Sequence, residues 1–291
     1  MQWGANIAQV AASGLLMGLA YALVAVGFTI VFGVMNFVNF AHGHIAMAAM
    51  FASFALNRYL GLDPYIAALC LFPIFLVVGA LLYRTAIAPA VGTSPAAQML
   101  VTLGLLIVIE NSANLIFGGD LRSVRSPIGE SSLHLGDLVL PISRVLAATG
   151  SLIAIAALWA FLRFTRFGKE IRAAASNELG ARLVGIPIQR VFMQAFALAT
   201  AMAAFAGAML VPFYLINPFI GYDFMLKAFV IAIIGGLGSL PGAVLAGLII
   251  GVVEAFGDFY LTASYATALV FGLLMLVLLL RPAGLMGSFR S

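Results

Sequence analysis

The first charged side chain in this sequence is Arg58; no Asp, Glu, Lys or Arg comes before it. A soluble domain carries about 25% charged residues and uses them to face water. A stretch this long without one has no means of doing so. The rest of the chain continues the pattern, since 64% of its 291 residues are hydrophobic and 8% are charged. The remaining solvent is lipid, and a spanning helix needs about 20 apolar residues. The uncharged N-terminal stretch has room for two such spans. It lacks a basic start and runs far past the usual apolar length of a signal peptide, so it reads as spans rather than a cleaved leader. Cys70, the only cysteine, excludes a disulfide framework. The net charge of +4 gathers in one segment, which speaks of orientation in a bilayer and not of a nucleic-acid partner.

Apolar runs bounded by polar or Gly/Pro clusters predict helices at residues 8–31, 41–56, 65–83, 98–117, 142–162, 192–212, 227–256 and 261–280. Between residues 163 and 190, Arg163, Arg166, Lys169, Arg172, Arg182 and Arg190 stand against Glu170 and Glu178 alone. The positive-inside rule makes this loop cytoplasmic, and Arg281 and Arg290 put the C-terminus on the same side. Residues 119–140, of mixed sign (Asp120, Arg122, Arg125, Glu130, Asp137), then lie outside. An even number of crossings must separate the basic loop from the C-terminus. The long 227–256 segment therefore adds none or two: it is a pair of helices meeting at its Gly/Pro break, or it re-enters. The expected architecture is a single all-α transmembrane domain over residues 1–291, a polytopic bundle of about eight spans with one or two broken or re-entrant helices.

Three groups of residues are candidates for a substrate path. Asn36, Asn39 and His42 are three apart and could share one helix face, lining water or a seam between helices. The plainer reading is a polar break that caps two helices. His42 and His44 lack further ligands nearby for a metal. Glu110, with Asn111 and Asn114 beside it, sits in an apolar span, where an acid usually faces the bundle interior. It could line the path and attract an ammonium group, bond to a neighbouring helix, or lie near the outer surface. Gly235, Gly236, Gly238 and Ser239 precede Pro241 and Gly242. Unwound backbone at membrane depth often builds substrate sites, and a tight surface turn or close packing of small residues is the alternative. Glu254 and Asp258 are expected at an interface with water.

Several segments carry a resemblance. GLLMGLAY at 14–21 runs into ALVAVGFTIVFGVMNFVNFAHGHI at 22–45. FGKEIRAAASNELGARLVGI occupies 167–186, KAFVIAIIGGLGSLPGAVLAGLIIG occupies 227–251, and RPAGLMG occupies 281–287. In this order and combination they resemble the permease family of branched-chain amino acid ABC importers, the LivH type. The resemblance implies a bacterial inner-membrane protein that works with a second, related permease chain. It also implies two cytoplasmic ATPase subunits and an extracytoplasmic solute-binding protein. The cargo would be leucine, isoleucine and valine, or urea, short amides or other amino acids as in similar members. It further implies that the basic loop is a coupling helix docking on the ATPase, through Lys169, Glu170, Arg172, Ala173, Ala174, Glu178, Arg182 and Gly185. Without the resemblance the loop is an ordinary topology signal.

Lys169 and Lys227, the only lysines, sit in no Gly-rich phosphate loop and precede no Ser or Thr, so the chain has no nucleotide site of the P-loop kind. No cofactor is expected in it; ATP and Mg would bind the partner subunits. No catalytic cluster stands out either, which argues against a membrane-embedded enzyme. The competing reading is a secondary transporter driven by an ion gradient, with Glu110 or Glu254 as the relay.

Overall fold

A computed structural model describes residues 2–136 and 138–287, leaving Asp137 and Arg290 outside. Eleven α-helices make up most of these residues. They are α1 (Gln2–Met35), α2 (His42–Leu60), α3 (Pro64–Leu82), α4 (Pro95–Phe117), α5 (Ile142–Phe164), α6 (Arg166–Ser176), α7 (Glu178–Leu183), α8 (Ile188–Leu210), α9 (Ile220–Gly235), α10 (Leu240–Tyr260) and α11 (Ala263–Leu280). The all-α expectation needs one amendment. Part of the 119–140 loop forms a two-stranded antiparallel hairpin, β1 (Ser132–Leu135) and β2 (Leu138–Pro141). Six helices are long and apolar enough to cross a membrane: α1, α3 with its terminal π-turn, α4, α5, α8 and α10.

The bundle is built around α8 and α1. Their most apolar windows are 83% and 72% buried, against 22% for α4 and 28% for α5. Alanines dominate α8 from residue 195 to 208, and small side chains let neighbours approach to backbone contact. A Cβ on Gly207 would strike the backbone of Ala46 on α2, and one on Gly79 of α3 would strike Ala197 and Thr200 of α8. The most extensive crossing is between α1 and α10. There Gly14 and Gly18 meet Gly251 and Gly247, backbone against backbone. Outside this core the chain turns large apolar residues outward, such as Leu100, Val108 and Leu115 on α4 and Leu279 on α11. That arrangement suits lipid and not water.

Tertiary ties define two ends. At one end are the α9–α10 turn, where Gly238 lies against Gly33 of α1, the start of α8, where Gln189 accepts from Tyr83 Oη (3.2 Å), and the α6–α7 segment. This is the basic end, cytoplasmic by the positive-inside rule. At the other, Gln9 of α1 makes two hydrogen bonds to the backbone of Val139 in β2 (2.6 and 2.9 Å). There too Ser126 donates to Asp63 (2.6 Å) and Arg122 pairs with Ile216.

Residues 36–41 are the polar break expected between the first two helices, but they fold back into the protein. Helix α1 stops at Met35, and Asn36 takes a left-handed φ of 50°. The chain then runs back without helix until His42. The His42 side chain bonds to Val24, which lies eleven residues before the end of α1, so this short segment climbs back alongside the last turns of α1 into the bundle. Helix α2 therefore starts inside the protein. Irregular backbone at that depth survives only when protein surrounds it, and Phe37, Asn39 and Ala41 are each at most 1% exposed. The expected helix face shared by Asn36, Asn39 and His42 does not exist, because no helix joins them.

Candidate functional site

The predicted path residues separate into five groups. Glu110 of α4 turns inward: its Oε2 lies 3.2 Å from Nε2 of the buried His44 on α2, and its side chain is only 15% exposed. Tyr222 of α9 stands edge-on to the His44 ring at 4.7 Å. An acid within a span is expected to find such a partner. Asn111 and Asn114 do not join it. Both are exposed, and Asn111 donates back to Ile107 of its own helix at 2.8 Å.

Asn39 and His42 belong to the packing. The Asn39 carboxamide oxygen accepts from Ala41 N (3.1 Å) and its carbonyl from His42 N (3.2 Å), which shapes the entry into α2. His42 Nε2 is 2.9 Å from the Val24 carbonyl, and its ring meets Phe28 edge-on at 5.9 Å. Gly27 leaves the room for this ring, since a Cβ there would press on it. Gly235 and Gly236 are also structural. Met286 N donates to Gly235 O (3.0 Å), Leu285 N to Ile234 O (2.7 Å), and Gly236 reverses the chain at φ 98°. The break at residues 235–242 is thus a turn between α9 and α10 at the basic end. Ser239 caps α10 by accepting from Gly242 N (3.2 Å). Asn36, Gly238 and Ser239 do come together, lining a cavity of about 850 Å³ roofed by α6 through Ile171, Arg172 and Ala175.

The strongest charge cluster involves Lys227, which the sequence offered as the start of an apolar run and as a lysine outside any phosphate loop. Lys227 of α9 makes a 2.6 Å ion pair with Glu254 of α10 and donates to Tyr21 Oη of α1 at 3.1 Å. Its ammonium lies over the Tyr21 ring at 4.3 Å, and Tyr21 shares a 2.5 Å hydrogen bond with Tyr214. Lys227 is separated from Glu254 by a full helix and a turn, so no local pattern announces the pair.

At the basic end, two caps set the shape of the loop. Thr165 accepts from Gly168 N (3.1 Å) to start α6, and Asn177 accepts from Gly180 N (2.8 Å) to start α7. Helix α6 is amphipathic. Gly168, Ile171 and Ala174 are buried, Ala173 and Glu170 are half-buried, and Lys169 and Arg172 are exposed. The Arg172 guanidinium donates to the Leu162 carbonyl at the end of α5, and Gly168 sits against the same residue. On α7, Glu178 and Arg182 pair with each other at 2.6 Å, an i,i+4 pair in open solvent. Gly185 then reverses the chain at φ 84°. Leu179, Leu183 and Val184 protrude between these charges, 70%, 81% and 77% exposed. The sequence reading did not single them out, because leucine and valine are everywhere in this chain. The available signal was three apolar residues within a polar, strongly basic loop.

The sequence profile of the family described as branched-chain amino acid transport system, permease component, matches residues 10–279. The chain belongs to this family. The permease is 34% identical to the high-affinity branched-chain amino acid transport system permease protein LivH of Salmonella typhimurium, over 94% of each chain. It is 32% identical to BraD of Pseudomonas aeruginosa, named as a permease protein of the same kind of system, again over 94% of each. Among solved structures it resembles PsaBC from Streptococcus pneumoniae in complex with Fab. The TM-score is 0.52 at 12% identity, covering 91% of the permease and 90% of that chain, which makes the likeness one of fold. With its several apolar spans, the permease is a multi-pass membrane protein whose role is transport.

Proposed function

We propose that this permease carries branched-chain amino acids across the bacterial inner membrane toward the cytoplasm, as one of two related permease chains driven by two separate ATPase subunits. The carrying observation is the α6–α7 segment. It is capped at both helix starts, fixed to α5, and presents an apolar crown (Leu179, Leu183, Val184) to water at the basic end. Apolar side chains exposed in a charged rim are what a partner's groove accepts. The charged residues named from the resemblance then act as that rim, with Arg172 bracing the segment instead of reaching outward. ATP and Mg would bind the partners, and a solute-binding protein outside would deliver cargo.

The second permease chain would pack against the open face of α9. Tyr222, Asp223 and Leu226 are exposed there. Asp223, in the first turn of α9, also lines the small cavity toward α10 and α11, so its charge meets water. Glu110, beside Tyr222, would line the upper part of the path. The cavity at Asn36, Gly238 and Ser239 would line its cytoplasmic end.

The decisive experiment is reconstitution of the permease with two ATPases, a second permease and a binding protein into proteoliposomes. Leucine uptake and leucine-stimulated ATP hydrolysis are expected together. Uptake driven by an ion gradient without nucleotide would replace this reading with the secondary-transporter one, which the Lys227–Glu254 pair otherwise favours.

The path of the chain supports more crossings than the six long spans. If the shorter helices α2, α9 and α11 also traverse, the chain crosses nine times, with an outer N-terminus and a cytoplasmic C-terminus. Reporter fusions test this. Alkaline phosphatase is expected to be active after Gly61, Gly119, Asn217 and Leu261, and a cytoplasmic fluorescent reporter after Gly92, Gly185 and Gly238. An inverted result at any site removes the adjacent crossing.

A further inference from the structure

Lys227 and Glu254 stand between two cavities. One, of about 550 Å³, lies between α1, α10 and the chain near Tyr214; the other, of about 220 Å³, lies between α9, α10 and α11 and reaches Asp223. Lys227, Glu254 and Asp258 line both, so the ion pair is the partition. We propose that this partition is a binding locus for the charged head of a zwitterionic amino acid, and that the permease chain itself therefore recognises its cargo. The inference rests on the transport function proposed above.

The chemistry of the larger cavity favours a dipolar, neutral ligand. Its charged lining is Arg144, Lys227, Glu254 and Asp258, two of each sign. A cationic or anionic ligand would leave one sign in excess, whereas an ammonium and a carboxylate on one carbon satisfy both. Lys227 would donate to the carboxylate with help from Tyr21 and Tyr214, whose hydroxyls already surround it. Glu254 would accept from the ammonium. Its Oε2 is buried and has no hydrogen-bond partner among the described residues, so it becomes available to the ammonium as the ion pair parts. Met17, Phe213 and Phe259 supply apolar wall for an aliphatic side chain.

A pair serving only to glue α9 to α10 would be sealed. Here the two side chains are 21% and 20% exposed and meet open volume on both sides. A ligand bringing its own two charges can separate the pair without leaving either charge unmet, which is the condition for opening a buried ion pair at low free-energy cost.

The test uses the full reconstituted complex with Lys227→Met and Glu254→Met combined, so that neither charge is orphaned. Leucine uptake is expected to fall about thirty-fold or more, the effect of losing a desolvated charged contact. Assembly is read as co-elution of all subunits, and uptake is expressed per assembled complex. Uptake at the wild-type rate in the double variant overturns the inference while leaving the transport reading intact. Absence of uptake by the wild-type complex overturns both. A measurement on the wild type alone guards against a variant that fails to assemble. In the complex without its binding protein, leucine should raise the thermal midpoint, while leucinamide, lacking the carboxylate, and 4-methyl-2-oxopentanoate, lacking the ammonium, should not. No shift with leucine, or equal shifts with all three, sinks the proposal.

Discussion

Gly251→Leu is expected to leave almost no folded permease in the membrane. At the α1–α10 crossing, a Cβ on Gly251 would run into the backbone of Gly14 and Gly18, and one on Gly247 into Ala22. Overpacking a core costs about 1–3 kcal/mol when neighbouring side chains can shift. Here the neighbours are backbone atoms of α1, one of the two central helices, so the helices themselves must part. In lipid, where close packing is a main force joining helices, their separation removes the reason for the bundle to exist. Size-exclusion chromatography of a fluorescent fusion reads the result directly. The control is Gly272→Leu or Gly104→Leu, where nothing lies within 4 Å of the added carbon; these should elute as the wild type. An unchanged profile for Gly251→Leu would show that α1 and α10 do not touch as described.

The second large effect concerns association. Leu179→Glu combined with Leu183→Glu should abolish transport while leaving the permease folded. Both side chains are mostly in solvent, so charging them disturbs nothing in this chain. In the proposed complex they fill a groove on the ATPase. Losing two anchors of about 2 kcal/mol each lowers association by a factor of about 1,000. Co-purification of the ATPase and ATP-dependent leucine uptake should both disappear. Breaking the neighbouring Glu178–Arg182 pair by Arg182→Ala should change little, because an exposed pair is worth about 0–1 kcal/mol. If the double glutamate variant still carries its ATPase, the docking surface lies elsewhere.

How far the chain was readable before its structure depends on the range of each interaction. Membrane residence, the helical bundle and the family needed only composition and ordered motifs. The turn at residues 235–242 followed from parity and its glycines, yet its depth did not, because depth is set by what the turn meets: Gly33 and the segment around Met286. The Asn36–Asn39–His42 spacing suggested a helix face. Asn36 instead takes a left-handed turn with no Gly or Pro to mark it, and burial of Phe37 and Ala41 holds the irregular stretch in place. The GLLMG and AGLIIG segments contain the paired glycines of the α1–α10 crossing, a small-residue pattern open to reading. Lys227 was the least legible of all. A lone cation in an apolar run says nothing until Glu254 and Tyr21 are seen around it.

The bracing of α6 has a mechanical consequence. Arg172 and Gly168 lock α6 to the end of α5, and α5 is a rod of 23 residues, about 34 Å long. Its far end is moored as well: Ile142 N bonds to Ser131 O at 2.9 Å and Ser143 O accepts from Tyr65 at 2.9 Å, beside the hairpin that grips Gln9. Such a strut cannot be displaced at one end alone. In the complex proposed above, a thrust delivered to α7 would tilt it and shift the hairpin on the opposite face of the bilayer, where the proposed binding protein would dock.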